Sequence, residues 1–107
     1  MEETRRRELA WIGDAVLALM ARNWILEQPD IPVEDRKDVF VALTSNSFLG
    51  SIGDPTGVEA HIGITYRDVG FEAASAYFND IILPLFKAQE ANRRKLSPGA
   101  KRGKRKR

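Results

Sequence analysis

Two carboxylate residues, Asp14 and Glu59, interrupt apolar stretches of the sequence, and each has a glycine close by. Gly13 precedes Asp14, and Gly63 follows Glu59 by about one helical turn. A buried, unpaired carboxylate is costly, so Asp14 needs a cation, a hydrogen-bond donor or water. Carboxylates and water are the ligands that Mg²⁺ prefers, and a bound metal can activate water for phosphodiester hydrolysis. Two carboxylates alone do not select this chemistry, because such residues are common in proteins.

Each carboxylate also has a purely structural interpretation. Asp is among the best helix-capping residues, so Asp14 is a candidate cap for a helix that begins at Ala15. The apolar period, however, runs from Leu9 to Trp24 without restarting after Asp14, which favours one continuous helix. Helical propensity alone makes Glu59 a surface residue.

The helix around Asp14 is predicted to be buried deeply. A glycine inside a helix costs about 1 kcal/mol relative to alanine. We therefore expect another backbone to approach closely at Gly13. The apolar residues of this helix recur at steps of three and four, which predicts one buried face. The residues of this face are Leu9, Ile12, Val16, Leu19, Met20 and Trp24.

Proline and capping residues divide the next part of the chain. Pro29 and Pro32 cannot continue the first helix. Asp54 and Pro55 predict a helix start, because Asp caps well and proline is preset for the first helical position. The second carboxylate, Glu59, lies on the helix that begins here.

The last helix is predicted to run from Phe71 towards the C-terminus, and Pro84 is expected to kink it or to end its packed part. No segment alternates as a strand does. The expected fold class is therefore all-α, with about five helices in one domain that spans residues 1–92.

Composition restricts the class of protein further. The chain has 107 residues, enough for one small domain. It has no cysteine, and hence neither a disulfide framework nor a thiolate metal site, which suits the cytoplasm. No apolar run is expected to reach membrane-spanning length, and the N-terminus lacks a secretory signal. We therefore expect a cytoplasmic protein without membrane contact.

The formal net charge of +2 conceals a division along the chain. From Arg93 onward there are nine Lys or Arg and no Asp or Glu, which leaves eight basic and fifteen acidic side chains in residues 1–92. Residues 93–107 have no apolar face and are expected to be disordered in isolation. Such a tail either contacts the phosphates of a polyanion or only increases solubility.

Two stretches of this sequence resemble motifs of the ribonuclease III family. LAWIGDAVLALMARNWIL is similar to the family's signature helix, commonly LEFLGDAVL, and more so to LAYIGDAV of the short Mini-III branch. GVEAHIGITYRDVG resembles the second motif, EALIGAIYLDGG, in which the Glu is a metal ligand. VALTSNSFLGSIG and GFEAASAYFNDIILPLF resemble further family helices, so the resemblance covers about residues 9–86.

This resemblance implies a Mg²⁺-dependent endoribonuclease, with Mn²⁺ as an alternative metal, that cleaves double-stranded or structured RNA. In the Mini-III branch the substrate is a ribosomal RNA precursor. Asp14 and Glu59 are then the catalytic metal ligands. The resemblance also implies a homodimer with an aromatic plug at Trp11, although Trp11 buried in its own core is an alternative. The expected interface residues are Leu9, Trp11, Ile12 and Val16.

The chain also departs from the long family members. Ala10 and Thr56 stand where two further carboxylates are found, and a preceding helix, a basic connection and a double-stranded-RNA-binding domain are missing. We therefore expect a shortened domain, and two alternatives stay open: an inactive RNA-binding or ribosome-associated module, and a helical adaptor with a nucleic-acid-binding tail. The residues expected to contact RNA phosphates are Lys101, Arg102, Lys104, Arg105, Lys106 and Arg107.

Overall fold

The computed structural model describes residues 1–96 and confirms the all-α fold class, with no strand among these residues. A 3₁₀ turn leads into the second helix, and a π-helical turn joins the last two. In chain order the elements are α1 (Glu3–Leu26), the 3₁₀ turn (Val33–Asp35), α2 (Arg36–Leu43), α3 (Asn46–Leu49), α4 (Pro55–Val69), α5 (Phe71–Tyr77), the π turn (Phe78–Ile82) and α6 (Leu83–Leu96).

Helix α1 runs without a break through Asp14, which excludes Asp14 as a helix cap. The cap is Glu2, whose carboxylate accepts hydrogen bonds from the backbone N–H groups of Thr4 at 3.2 Å and Arg5 at 3.1 Å. Two of the orphan donors at the start of the helix are thereby satisfied. The prediction of one continuous helix is confirmed.

The buried face of α1 matches the predicted one in part, since Leu9, Val16 and Met20 are buried as predicted. Leu17, Ala21 and Ile25 are at most 3% exposed, whereas Leu19, which was expected inside, is 50% exposed. Helix α1 contacts α4 most extensively and also contacts α2. Because nearly every position in this part of α1 is apolar, the spacing alone did not fix which sector faces those neighbours.

Helix α1 also has the length and composition of a helix that can cross a membrane. It has 24 residues, and its most apolar window has a mean hydropathy of 1.3. No other helix among residues 1–96 meets this criterion. The expectation that no apolar run approaches this length was therefore wrong. The buried core helix of a globular protein meets the same criterion, and 44% of this window is buried inside the fold. The composition of α1 does not by itself establish where the protein resides.

The start of α4 follows the prediction. The Asp54 carboxylate accepts a hydrogen bond from the backbone N–H of Gly57 at 3.0 Å, and Pro55 occupies the first turn. Helix α3 is capped in the same manner by Ser45, whose Oγ accepts from the N–H of Phe48 at 3.0 Å. These short-range bonds fix where each helix begins, and with it the position of Glu59 one turn into α4.

Helical structure continues past Pro84 and stays packed, so of the two expected outcomes, a kink or an end of the packed part, the second is excluded. The π turn Phe78–Ile82 directly precedes it, and Phe86, beyond it, is only 7% exposed. A proline in a regular α-helix lacks its N–H and crowds the carbonyl four residues earlier, which here belongs to Asp80. The wider π turn relieves this conflict, so the helix continues and remains packed.

The last helix passes position 92, where the helical domain was predicted to end, and the boundary between domain and tail stays a prediction. Helix α6 continues to Leu96, four residues beyond position 92. Arg, Lys and Leu are good helix formers, and cations near a helix C-terminus interact favourably with its dipole. The rest of the predicted tail, residues 97–107, lies outside the described residues.

Two apolar clusters hold the helices together. In the smaller cluster Leu9 and Ala10 of α1 meet Ala60 of α4, and Ile64 packs against them. The larger cluster joins the C-terminal half of α1 to the remaining helices, and its buried members are Val16, Leu17, Met20, Ala21, Leu43, Phe48, Leu49, Val58, Ile62, Ala74, Phe78, Ile82, Leu83 and Phe86.

Candidate metal site between helices α1 and α4

Helices α1 and α4 meet backbone against backbone at two glycines. A Cβ atom on Gly13 would lie 1.7 Å from the carbonyl oxygen of Glu59, and one on Gly63 would lie 2.0 Å from the carbonyl oxygen of Leu9. Neither overlap can be relieved by a side-chain rotation, because both atoms belong to the main chain. The close backbone approach predicted at Gly13 is confirmed, and the two glycines define what we call the glycine crossing.

The glycine crossing places Asp14 beside Glu59. Asp14 follows Gly13 on α1, and the main chain of Glu59 is the part of α4 that Gly13 meets. The Asp14 carboxylate is close enough for its negative charge to raise the pKa of the Glu59 carboxyl group. Two residues that are 45 positions apart in the sequence therefore form one carboxylate pair, as predicted, while their role as metal ligands stays a prediction.

The pKa of Glu59 is raised from its usual value of 4.5 to about 7. Partial burial of the carboxyl group is the largest cause, followed by the negative charge of Asp14 and then by the hydrogen bond between the two side chains. Each of these favours the protonated, uncharged form. Near neutral pH, Glu59 therefore exists in both the protonated and the charged form.

The surroundings leave the pair accessible from solvent. Asp14 is exposed, Glu59 is half-buried, and the neighbouring Ala18 is small and half-buried. Ala10, one turn before Asp14, is 6% exposed and packs in the smaller apolar cluster. Thr56 lies half-buried in the first turn of α4.

The donor set fits a hydrated divalent cation. No group of three or more His, Cys, Asp or Glu residues that could hold a metal occurs among residues 1–96, so a cage made only of protein ligands is not available in this part of the chain. Mg²⁺ usually retains several waters and needs only one or two carboxylates from the protein. Asp14 and Glu59 supply this number, and a cation between them would relieve their mutual repulsion.

A long-range ion pair between α1 and the start of α4 was not predicted. The guanidinium of Arg6, near the start of α1, pairs with the carboxylate of Asp54. Asp54 thus takes part both in this ion pair and in its capping bond to Gly57. The sequence pattern had no signal for this contact, because the partners are 48 positions apart.

The three neighbouring arginines, at positions 5–7, all lie near acidic side chains. Besides its contact with Asp54, Arg6 lies 3.5 Å from Glu3, and Arg7 Nε lies 2.9 Å from Glu3. Arg5 lies 3.7 Å from Glu8. The first turns of α1 therefore carry a network of mostly exposed ion pairs, each of small energetic weight.

The residues predicted to form a dimer interface have different positions in the fold. Trp11 is 80% exposed, which excludes the alternative in which it is buried in its own core. Leu9 and Val16 are 1% and 8% exposed, and Ile12 is half-buried. Leu9 and Val16 are therefore buried within a single chain, as the apolar period of α1 predicted, because α4 and the larger cluster cover their sector of the helix. Their assignment to a dimer interface stays a prediction.

Comparisons with known protein families, with curated proteins and with solved structures find no match to this chain. The predicted RNA contacts at positions 101–107 lie outside the described residues. The geometry at the glycine crossing is therefore the structural basis for any assignment of function.

Proposed function

We propose that this protein is a divalent-metal-dependent endoribonuclease that hydrolyses phosphodiester bonds in double-stranded or structured RNA. The observation that carries the proposal is the Asp14–Glu59 carboxylate pair, which the glycine crossing holds at an accessible position. Both motifs resemble those of the ribonuclease III family, which favours RNA over other phosphodiester substrates. In the Mini-III branch, which the sequence resembles most, the substrate is a ribosomal RNA precursor. The cationic residues from Arg93 onward add attraction for phosphates.

Asp14 and Glu59 would hold the metal in this reaction, with Mg²⁺ or Mn²⁺ as the ion. When bound, such an ion supplies water activation and stabilises negative charge on the phosphate and the leaving oxygen. Asp14 is exposed and provides a carboxylate that needs little desolvation. Glu59 must release its proton to become a ligand, so occupation of the site and proton release are coupled.

A homodimer belongs to the same proposal. A tryptophan that is 80% exposed is unusual on a free surface, and Leu19 and Leu26 of α1 are also at least half exposed. A two-fold interface along the outer side of α1 would place each Trp11 against the same surface of the other copy. Trp11→Ala should then shift the protein towards monomer in sedimentation, whereas Val33→Ala, at another exposed apolar side chain, should not. A wild-type protein that stays monomeric at high concentration would contradict the dimer.

A second candidate function is an RNA-binding or ribosome-associated module without catalysis. The observation in its favour is the small carboxylate set, because Ala10 and Thr56 occupy the positions of two further family carboxylates and residues 1–96 hold no larger ligand group. Both functions predict RNA binding. They differ in metal binding and in cleavage, so these are the properties to measure.

The test is cleavage of a long double-stranded RNA with and without Mg²⁺, together with a calorimetric Mg²⁺ titration. Wild-type protein should bind Mg²⁺ and cleave only in its presence. Asp14→Asn should lower the cleavage rate at least about 100-fold, the effect that losing one electrostatic stabiliser has in other active sites, and should keep the fold because it removes charge rather than volume. Asp68→Asn, an exposed substitution at the end of α4, is the matched control. Equal cleavage by wild-type protein and Asp14→Asn would refute the assignment, and RNA binding without Mg²⁺ binding or cleavage would favour the second function.

A further inference from the structure

Arg22 of α1 differs from the arginines at the start of the same helix, because no acidic side chain pairs with it. Its guanidinium lies over the ring of Phe40 of α2, 4.3 Å from the ring centroid. The arginines at positions 5–7 each lie near a carboxylate, whereas no ion pair among the described residues includes Arg22. Arg22 is also exposed, so its positive charge is available to a ligand.

The contact with Phe40 holds the guanidinium without using its hydrogen-bond donors. A cation over an aromatic ring is attracted to the negative face of that ring. The N–H donors of arginine lie in the plane of the guanidinium, and two of them can contact the oxygens of one phosphate together. Arg22 is therefore held in place and can still bind a phosphate.

Two further cations lie one turn before Phe40 on α2. Arg36 and Lys37 precede Phe40 by four and three positions, which places them on the same side of that helix. The Nε–H group of Arg36 is buried and donates to no described acceptor. Three of the eight basic side chains in residues 1–92 are therefore gathered where α1 meets α2. We call Arg22, Arg36 and Lys37 the basic patch.

The acidic residues of the same segment do not pair with the basic patch. Glu34 and Asp35 belong to the 3₁₀ turn before α2. Asp38 is on α2 but is rotated by about 160° from Phe40 around the helix. No ion pair among the described residues joins any of these three carboxylates to the patch. The patch is thus a local positive site in a part of the chain that is acidic as a whole.

The basic patch lies two helical turns from the carboxylate pair along α1. Asp14, Ala18 and Arg22 follow each other at steps of four, so they form one row on the surface of the helix. The helical rise puts Asp14 and Arg22 about 12 Å apart along the axis. Ala18 is small and half-buried, so no long side chain stands between them in this row. A nucleic-acid strand can therefore reach from the carboxylate pair to the patch.

We propose that Arg22, supported by Arg36 and Lys37, binds a backbone phosphate of the RNA whose scissile phosphate lies at Asp14 and Glu59. The choice of RNA as the polyanion rests on the proposed function. A phosphate contact carries no sequence information, so the patch positions the RNA and does not select among sequences. The contact is remote from the reacting atoms, so it stabilises the bound substrate and the transition state alike.

The test measures binding of full-length protein to one RNA duplex by fluorescence anisotropy at several salt concentrations, in buffer that contains a chelator instead of metal. Arg22→Met removes the charge and keeps an apolar contact with Phe40. It should weaken binding by about tenfold at low salt, the effect of losing one charge-assisted contact. It should also reduce the slope of log affinity against log salt by about one. Equal slopes for wild-type protein and Arg22→Met, or a wild-type protein that binds no RNA, would refute the proposal.

Lys87→Met is the matched control. Lys87 also lies over an aromatic ring, with its Nζ 5.7 Å from the ring centroid of Trp24, so the substitution removes the same charge and the same kind of contact. Trp24 is rotated by about 160° from Arg22 around α1, so this contact is on the other side of the helix. Lys87→Met should keep the wild-type slope. Equal losses for Lys87→Met and Arg22→Met would show that only the net charge matters, which would also refute the proposal.

A cleavage assay in Mg²⁺ separates this proposal from the proposed function. Arg22→Met should raise the KM for RNA much more than it lowers kcat, because the lost contact is made equally in the bound substrate and the transition state. Arg22→Lys keeps the charge and should recover most of the affinity. A protein that shows the expected loss of RNA binding in Arg22→Met but does not cleave would contradict the endoribonuclease and support the basic patch. A lowered kcat with an unchanged KM would contradict the positioning role of Arg22.

Discussion

Helix α1 meets the rest of the fold in two different ways along its length. Around Gly13 it meets α4 through main-chain atoms, and only three residues are buried in the small cluster beside this contact. From Val16 to Ile25 it meets its neighbours through interdigitated side chains, and fourteen buried residues form the large cluster there. One helix therefore combines a backbone contact with an ordinary apolar core.

The difference shows what each region contributes. The side-chain core buries apolar area and supplies most of the stabilising free energy. The glycine crossing buries little, but it brings the main chains close enough for two short acidic side chains, Asp14 and Glu59, to interact. A core of large side chains would separate the helices to the usual distance of about 8–10 Å between axes. The crossing therefore positions the site, and the core stabilises it.

The largest loss of stability is expected when a side chain is introduced at the glycine crossing. Gly13→Ala places a Cβ 1.7 Å from the Glu59 carbonyl oxygen, so the helices must separate. The free energy of unfolding should fall by more than about 4 kcal/mol, at the exceptional end for one substitution. Chemical denaturation measures this loss. Gly53→Ala is the control, because its Cβ would meet only a Val58 methyl group at an ordinary 3.7 Å. Similar stability of the two variants would contradict the crossing.

A somewhat smaller effect is expected in the side-chain core. Leu17 is fully buried, so Leu17→Ala should lower the free energy of unfolding by about 3 kcal/mol through lost burial and a residual cavity. Leu19→Ala, on the same helix but half exposed, should cost less than about 1 kcal/mol. In both variants the pKa of Glu59 should stay raised, since the crossing is intact. Carboxyl NMR titration measures that pKa. Equal losses for Leu17→Ala and Leu19→Ala would mean that the buried face is assigned incorrectly.

The smallest expected effect on stability comes from the protonation of Glu59 in the carboxylate pair. Glu59 binds its proton more tightly in the folded chain, with a pKa of about 7, than at its usual value of 4.5. The unfolded chain therefore loses this proton first as the pH rises, and the contribution of Glu59 to the free energy of unfolding decreases between about pH 4.5 and about pH 7. Because Glu59 is only partly buried, solvent screening reduces this contribution to about 1–2 kcal/mol.

Asp14→Asn tests the cause of this pH dependence. It removes the like charge, so the pKa of Glu59 should fall part of the way towards its usual value, while partial burial still holds it above that value. Denaturation at several pH values should then give a shallower decline, and the variant should exceed wild-type stability near neutral pH. Asp68→Asn should keep the wild-type slope. Identical slopes for Asp14→Asn and wild-type protein would show that the two carboxyl groups do not interact.

Several features of the fold were predictable because their signals are local. Asp54 and Pro55 mark the start of α4 through bonds and dihedral angles within one turn. The glycine inside the apolar run of α1 predicted a close backbone approach, because nothing else offsets its cost in a helix. The continuous period through Asp14 predicted a single helix rather than a capped break.

Other features required information from residues that are distant in the sequence. Spacing places apolar residues around α1 but does not determine which sector the other helices cover, so Leu19 was assigned to the core although it is 50% exposed. The ion pair of Arg6 with Asp54 has no counterpart in any local pattern.

The sequence by itself determined that α1 is one helix with a glycine that must meet another backbone, because helix propensity, period and capping act over a few residues. Only the tertiary structure decided that the backbone is that of Glu59, and that this contact raises the pKa of Glu59. The physical reason is that burial and the interaction of charges depend on distances between helices. Those distances follow from how all the helices pack together, and no single segment of the sequence contains them.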